Sequence, residues 1–364
     1  MKVALVYDRV NKWGGAERVL LALNKIFPDA PLFTSVYNPK GAKWADKFNV
    51  KHSFLQKFPN APRSHEFYAP LMPLVFETFN FNNYDIVISV SSEAAKGVIT
   101  GPYTVHICYC LTPTRYLWSG YGEYFKNPFF KIISRPIVKY LKKWELTASK
   151  RPDIFVAIST EVQNRIANFY NRTSEIIYPP LFLAGSLFKQ EKKSTLDKKD
   201  FFLVVSRFVP YKKIDLAIKA CNELSLPLKI VGIGSQGKSL RKIAGPTVEF
   251  LGNLTDEELS YYYKNCKVLI FPGLEDFGLV MVEAQAFGKP VIAFRGGGAL
   301  DIIKEGETGE FFKEQNVASL KKVLKNFDSS RYNSLLCKKN AERFSFDNFK
   351  KNLMKIISSN LKTL

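Results

Sequence analysis

The chain has 364 residues, more than one hydrophobic core ordinarily organises, so two domains are expected. Its 46% hydrophobic and 24% charged residues describe a globular protein and exclude a disordered or low-complexity one. The formal net charge of +20 is spread evenly between the two halves and suits anionic partners; no helix-turn-helix, finger or RNP-like motif accompanies it, so nucleic acid is not expected.

The chain opens on a strand, Lys2 to Asp8, without the basic, apolar and cleavage arrangement of a signal peptide. No apolar run approaches the roughly 18 residues that a membrane span needs. Five cysteines, with no paired CxxC spacing, argue against a disulfide framework or a zinc site and for a reducing cytoplasm. Further strands are expected near 32–37, 85–91, 105–110, 154–159 and 175–178, alternating with helical patterns as in βαβ units. On the strand Val105–Cys110, the alternate residues Cys108 and Cys110 share a face. They are read as small hydrophobes under a helix layer, with a metal or redox pair as the alternative. His52, His65 and His106 share no ligand spacing, and no metal site is expected.

The stretch Tyr124 to Trp144 carries six cations, no acid and a dense set of aromatics. That composition suits an anionic membrane surface, cations meeting headgroups while apolar residues dip in. The alternative is a surface helix broken near Pro136, with its apolar residues packed on their own domain. After Tyr178-Pro-Pro-Leu-Phe182, the polar, lysine-rich Lys189–Asp200 marks a linker, placed at 181–199 between domains at 1–180 and 200–348.

The second half repeats the strand and helix alternation near 201–206, 228–232, 248–251, 268–271 and 290–294. Phe201 to Ala220 reads as a buried strand, a turn bracketed by Arg207 and Lys212, and an amphipathic helix. A guanidinium fork plus an ammonium can neutralise a departing diphosphate without a metal. Gly232, Gly234 and Gly237 form a G-x-G-x-x-G triplet after a strand, which admits an NAD-dependent oxidoreductase as an alternative; Glu249 is a poor match for that fingerprint's ribose acid. Val268 to Phe294 gives a buried strand, an irregular loop with Glu275, and a helix from Leu279 carrying Glu283. The amides from Phe277 to Val280 open a helix N-terminus that favours an anion, and two carboxylates beside it suit the hydroxyls of a sugar and a ribose.

The Glu275-x7-Glu283 element resembles the signature of the retaining nucleotide-sugar glycosyltransferases of family 4, which have the GT-B fold. That resemblance implies an α/β chain of two Rossmann-like parallel-sheet domains facing across a cleft, the C-terminal helix, about 349–364, returning to the first. It implies that Glu275 sits by the donor sugar, Glu283 by the ribose, and Arg207 and Lys212 by the phosphates. Gly14 and Gly15 look like the family's Gly-Gly element, where amides approach the diphosphate. Gly232, Gly234, Leu254, Asp276, Phe277, Gly278 and Leu279 complete the implied donor site. Many members carry a histidine next to the Thr-Pro where this chain has Leu111, so no catalytic histidine is carried over. Thr112, Arg115 and Tyr116 become candidates for acceptor or sugar contacts.

The run from Gly14 to Trp118 most resembles bacterial surface-polysaccharide mannosyltransferases. The expectation is thus a metal-independent, retaining hexosyltransferase that moves mannose from GDP-mannose to a lipid-linked or growing glycan. It would need no cofactor and would act in the cytoplasm, peripherally on the membrane through 124–144. A non-catalytic nucleotide-sugar-binding protein is the alternative within the same fold.

Overall fold

The computed structural model describes residues 1–125, 127–182 and 200–361. They form two compact units, Met1–Pro180 with Phe346–Leu364, and Leu181–Ser345. From residue 183 on, the expected linker lies outside the described residues, as do residues 362–364 of the expected C-terminal helix.

The first unit is built on a parallel sheet of β1 (Val3–Tyr7), β2 (Leu32–Thr34), β3 (Val50–His52), β4 (Ile86–Ser91), β5 (Val105–Cys110), β6 (Ile154–Ala157) and β7 (Glu175–Ile176), in the order β3-β2-β1-β4-β5-β6-β7. The central strands β1, β4 and β5 are buried along their whole length, the condition of a parallel sheet covered on both faces. Its helices are α1 (Gly15–Ile26), α2 (Met72–Glu77), α3 (Tyr121–Tyr124), α4 (Pro128–Ala148) and α5 (Thr160–Tyr170). Phe33, Phe76 and Phe81 anchor one core layer of this unit. Cys108 and Cys110 are fully buried free thiols on β5, as the packing reading expects.

The second unit has β8 (Phe202–Val205), β9 (Leu228–Val231), β10 (Val248–Gly252), β11 (Val268–Phe271), β12 (Val291–Phe294) and β13 (Gly309–Phe312), all parallel, in the order β10-β9-β8-β11-β12-β13. Around it lie α6 (Ile214–Glu223), α7 (Gly237–Ile243), α8 (Asp256–Asn265), α9 (Leu279–Ala286), α10 (Ala299–Ile302), α11 (Val317–Asn326) and α12 (Ser334–Glu342). Thr255 and Glu258 start α8 with a reciprocal capping box, satisfying two amides that the helix end leaves open. A last helix, α13 (Phe346–Leu361), belongs to the first unit, where Phe349 meets Tyr109 edge to face at 5.8 Å.

Two strands lie outside the sequence reading. Strand β3, Val50-Lys51-His52, is a half-exposed edge without an apolar run, and β13 is a four-residue edge strand that opens on a glycine. Strand edges of this kind carry little periodicity to detect. Helix α4 also departs from one alternative: it runs unbroken through Pro136.

Candidate functional site

In each sheet the strand order reverses beside one strand: between β1 and β4 in the first unit, between β8 and β11 in the second. The loops leaving the carboxyl ends of such a pair diverge and open a crevice where open α/β sheets bind ligands. Gly14 in the first unit and Arg207, Lys212, Glu275, Asp276 and Phe277 in the second fall on these loops.

In the second unit, β8 ends at Val205 and delivers Arg207 and Lys212. Arg207 is exposed and donates from Nη2 to the Tyr211 hydroxyl at 3.0 Å. Lys212 is 9% exposed, and its ammonium forms an ion pair with Glu275 on the loop after β11. The two strand-end loops of the switch point are thus tied together by the cation expected at the phosphates and the carboxylate expected at the sugar. Lys212 also lies over the Phe271 ring, 5.7 Å from its centroid.

Asp276 is half-buried, and Phe277 packs on Phe344 at 5.6 Å. Gly278 begins α9 in a left-handed conformation (φ 96°), and no side chain caps that helix end. Leu279 and Val280 follow, both half-buried. Glu283 lies in the second turn, 6% exposed, and accepts a 2.8 Å hydrogen bond from the Tyr263 hydroxyl. Leu254 is half-buried on the loop after β10, further along the same edge of the sheet.

Sequence reasoning missed the loop after β12. Gly298 donates its amide to the Glu275 carbonyl at 2.9 Å, and a Cβ on Gly298 would lie 2.3 Å from Phe277 Cα. The loop carrying Glu275 can take its position only against a residue without a side chain. The glycine run from Gly296 to Gly298 is the signal that could have shown this.

The glycine triplet has a local explanation. At Gly234 (φ 159°) a Cβ would meet the Phe208 carbonyl oxygen at 2.5 Å, and the Gln236 amide donates to that oxygen at 3.0 Å. At Gly232 a Cβ would lie still closer to the Ser206 carbonyl oxygen, 1.9 Å, and the Gly232 amide donates to the Gly252 carbonyl at 2.7 Å. The turn after β9 needs glycine because the backbone after β8 presses on it. That accounts for Gly232 and Gly234 without a dinucleotide.

In the first unit, Asp8 follows β1 and accepts the amides of Ser92 at 2.6 Å, Glu93 at 3.0 Å and Ala95 at 2.8 Å, locking the loop after β4 to the loop after β1. Gly14 and Gly15 open α1, again without a side-chain cap. A Cβ on Gly14 would sit 3.1 Å from Oε2 of Glu17, whose other oxygen accepts from the Tyr7 hydroxyl at 2.8 Å. Burial raises the Glu17 carboxyl above its ordinary range. A carboxyl therefore already lies beside the helix end expected to take an anion.

The loop after β5 rests on a buried network that the sequence did not reveal. Lys96 and Glu145, both fully buried, pair at 2.6 Å. Glu145 also accepts from the hydroxyls of Thr114 and Tyr170, each at 2.6 Å, and from Trp118 Nε1 at 2.6 Å. Burial alone pushes this carboxyl up, but Lys96 and the two hydroxyls outweigh it and hold it below the ordinary range. Thr112 is buried, its hydroxyl accepting from Arg165 at 3.2 Å, whereas Arg115 and Tyr116 are half-buried. Burial, with the charge of Glu93 behind it, raises the Tyr116 phenol.

His106 lies inside the sheet, 2.8 Å from the Ser89 hydroxyl, and burial with the nearby Arg151 lowers it to about 3. His65 is also buried, lowered to about 4 by burial and by Arg9. Among the described residues, no group of three or more His, Cys, Asp or Glu is placed to hold a metal ion.

Residues 187–344 match the model of the family described as glycosyl transferases group 1. A GDP-mannose-dependent alpha-mannosyltransferase of Corynebacterium glutamicum is 33% identical over 137 residues, 36% of this chain and 32% of that protein. A GDP-mannose-dependent alpha-(1-6)-phosphatidylinositol monomannoside mannosyltransferase of Mycobacterium tuberculosis is 26% identical over 183 residues, 43% of this chain and 48% of that one. The aligned regions span about half the length of such curated relatives, or less. The crystal structure of HepE from Anabaena, solved with UDP and glucose, superposes with a TM-score of 0.72 at 20% identity, covering 99% of this chain and 100% of that one. The match to the glycosyl transferases group 1 model thus falls on the second unit, and the two parallel-sheet units together have the GT-B fold.

Proposed function

We propose that this protein is a retaining hexosyltransferase that takes mannose from GDP-mannose and passes it to a lipid-linked or growing glycan at the cytoplasmic face of a membrane. The observation that carries this reading is the meeting of Lys212 and Glu275 on the two loops of the second unit's switch point, with Arg207 on the same loop as Lys212 and bonded to Tyr211. Similarity to two GDP-mannose-dependent enzymes favours the donor, and a phosphatidylinositol mannoside in the name of one favours a lipid-borne acceptor.

In this mechanism the bond between the anomeric carbon and the diphosphate breaks while the acceptor hydroxyl attacks from the same side, retaining the configuration. The acceptor proton passes to the departing phosphate oxygen. No protein nucleophile is needed, so catalysis rests on stabilising the leaving diphosphate, the task assigned to Arg207, Lys212 and the open amides at Gly278. Glu275 takes the sugar hydroxyls and Glu283 the ribose, while Thr112, Arg115 and Tyr116 of the first unit are assigned to the acceptor.

A thermal-shift panel tests the reading, since a ligand that binds only the native state raises its melting temperature. GDP, UDP, ADP, their mannose and glucose conjugates, and NADH are compared with and without magnesium. Stabilisation by GDP and GDP-mannose without metal is expected. A shift with UDP species alone replaces the donor, and a shift with NADH alone sinks the proposal. Donor binding without turnover across a broad acceptor panel would instead make the protein a nucleotide-sugar-binding module.

A further inference from the structure

The basic, aromatic stretch singled out in the sequence forms one helix, α4, with two apolar faces. One face packs on the first unit through Val138, Leu141 and Ala148, all buried. The other consists of Phe129, Ile132, Ile133, Ile137 and Tyr140, each between 42% and 67% exposed. At about 100° per residue these five share one broad stripe, centred away from the packed face and meeting it at Ile137. Pro136, also exposed, falls within the stripe.

A surface helix ordinarily turns its polar side outward, so this one is inverted. Along one border of the stripe run Arg135, Lys139 and Lys143, spaced four residues apart and all exposed. No Asp or Glu occurs between 124 and 144. The segment packed beside α4, held to it by the 2.7 Å hydrogen bond from Trp144 Nε1 to Glu77, exposes Phe67 and Leu74 as well.

We propose that this face of α4 docks on an anionic lipid bilayer, the helix lying in the plane of the interface. Charge selects the occupant. A second copy placed on this face would bring two cationic borders together in a chain of net charge +20, whereas anionic headgroups complement that border and the acyl region accepts the stripe. Among the described residues no helix is long and apolar enough to cross a membrane, so the contact is interfacial. It does not depend on which sugar or nucleotide the protein uses.

The test is co-sedimentation of the full chain with vesicles of phosphatidylcholine, alone or mixed with phosphatidylglycerol, at low and high salt. The parent protein should bind the mixed vesicles, and salt should weaken binding. Replacing Arg135, Lys139 and Lys143 together by Gln should weaken partitioning on the order of 100-fold, at about tenfold or less per cation. Ile133→Ser with Ile137→Ser should weaken it by about tenfold or more. These residues are exposed, so melting temperatures should not move. Sedimentation velocity supplies the second readout. Failure to bind, binding indifferent to phosphatidylglycerol, or a dimer that the serine pair dissociates while vesicle binding stays unchanged would each overturn the proposal.

Discussion

Glu275→Gln separates the two tasks assigned to the second unit's site. The Lys212 ammonium is held by Glu275, in a position where Lys212 is 9% exposed. A donor diphosphate must draw Lys212 from that carboxylate. A hydrogen bond to a charged partner contributes about 1.5–3 kcal/mol net and a neutral one about 0.5–1.5. Exchanging the carboxylate for an amide therefore lowers the competition by roughly 1–1.5 kcal/mol, or about tenfold in Kd. Isothermal titration should show GDP binding about tenfold tighter to Glu275→Gln than to the parent. Turnover should move the other way, because the sugar loses its anionic hydrogen-bond acceptor; a fall in kcat of roughly 100-fold is the scale for one transition-state contact. Weaker GDP binding by the variant would refute the reasoning. It would mean that Glu275 holds Lys212 in place for the phosphates instead of competing with them.

Four further outcomes follow from the geometry. Arg207→Ala should lower kcat by roughly 100-fold or more with little change in melting temperature, since the guanidinium is exposed and is the group proposed for the leaving diphosphate, as steady-state kinetics and thermal melts would show. Tyr263→Phe removes a buried 2.8 Å bond to Glu283 and should cost about 1 kcal/mol in urea unfolding while raising the donor KM more than it lowers kcat; a pure kcat defect would contradict the ribose role of Glu283. Lys96→Met strands the Glu145 carboxylate and should cost about 3–5 kcal/mol, and adding Glu145→Gln should recover part of it, as measured by urea unfolding. His106 is lowered to about 3 in the fold against an ordinary value of 6.5, so its contribution to stability is full above pH 6.5 and is lost as pH falls from there towards 3, where the unfolded chain takes a proton and the fold does not. The slope approaches about 1.4 kcal/mol per pH unit for this one group, and His106→Asn should flatten the unfolding profile by that amount.

Arg207, Lys212 and Glu275 were legible because each follows closely on an apolar strand, Phe201 to Val205 or Val268 to Phe271, and the carboxyl end of a parallel strand fixes the side of the sheet on which a loop emerges. That Lys212 and Glu275 pair required the strand order: β8 and β11 are neighbours, yet β9 and β10 lie between them in sequence. The same limit hid Lys96 and Glu145. In sequence one is a cation among many and the other the acid that ends a basic run; only the fold brings them together.

That buried pair also decides what α4 shows to solvent. Periodicity centres Phe129, Ile132, Ile133 and Tyr140 on one side and Val138 and Leu141 on another, with Ile137 on the border between them, so an apolar count cannot say which side is packed. Glu145 lies on the side of Val138 and Leu141, and it takes the Lys96 ammonium, the hydroxyls of Thr114 and Tyr170 and the Trp118 indole in one cluster. Rotating the helix to bury the isoleucines would pull this carboxylate from its partners and leave Lys96 as an uncompensated buried charge, a loss of several kcal/mol. Burying two or three isoleucines would gain a comparable amount, about 1.5–3 kcal/mol each. Turning the helix would also expose Val138 and Leu141, however, so the apolar gain largely cancels and the polar anchor prevails. The outward apolar stripe of α4 is thus held in place by the network that positions the loop after β5.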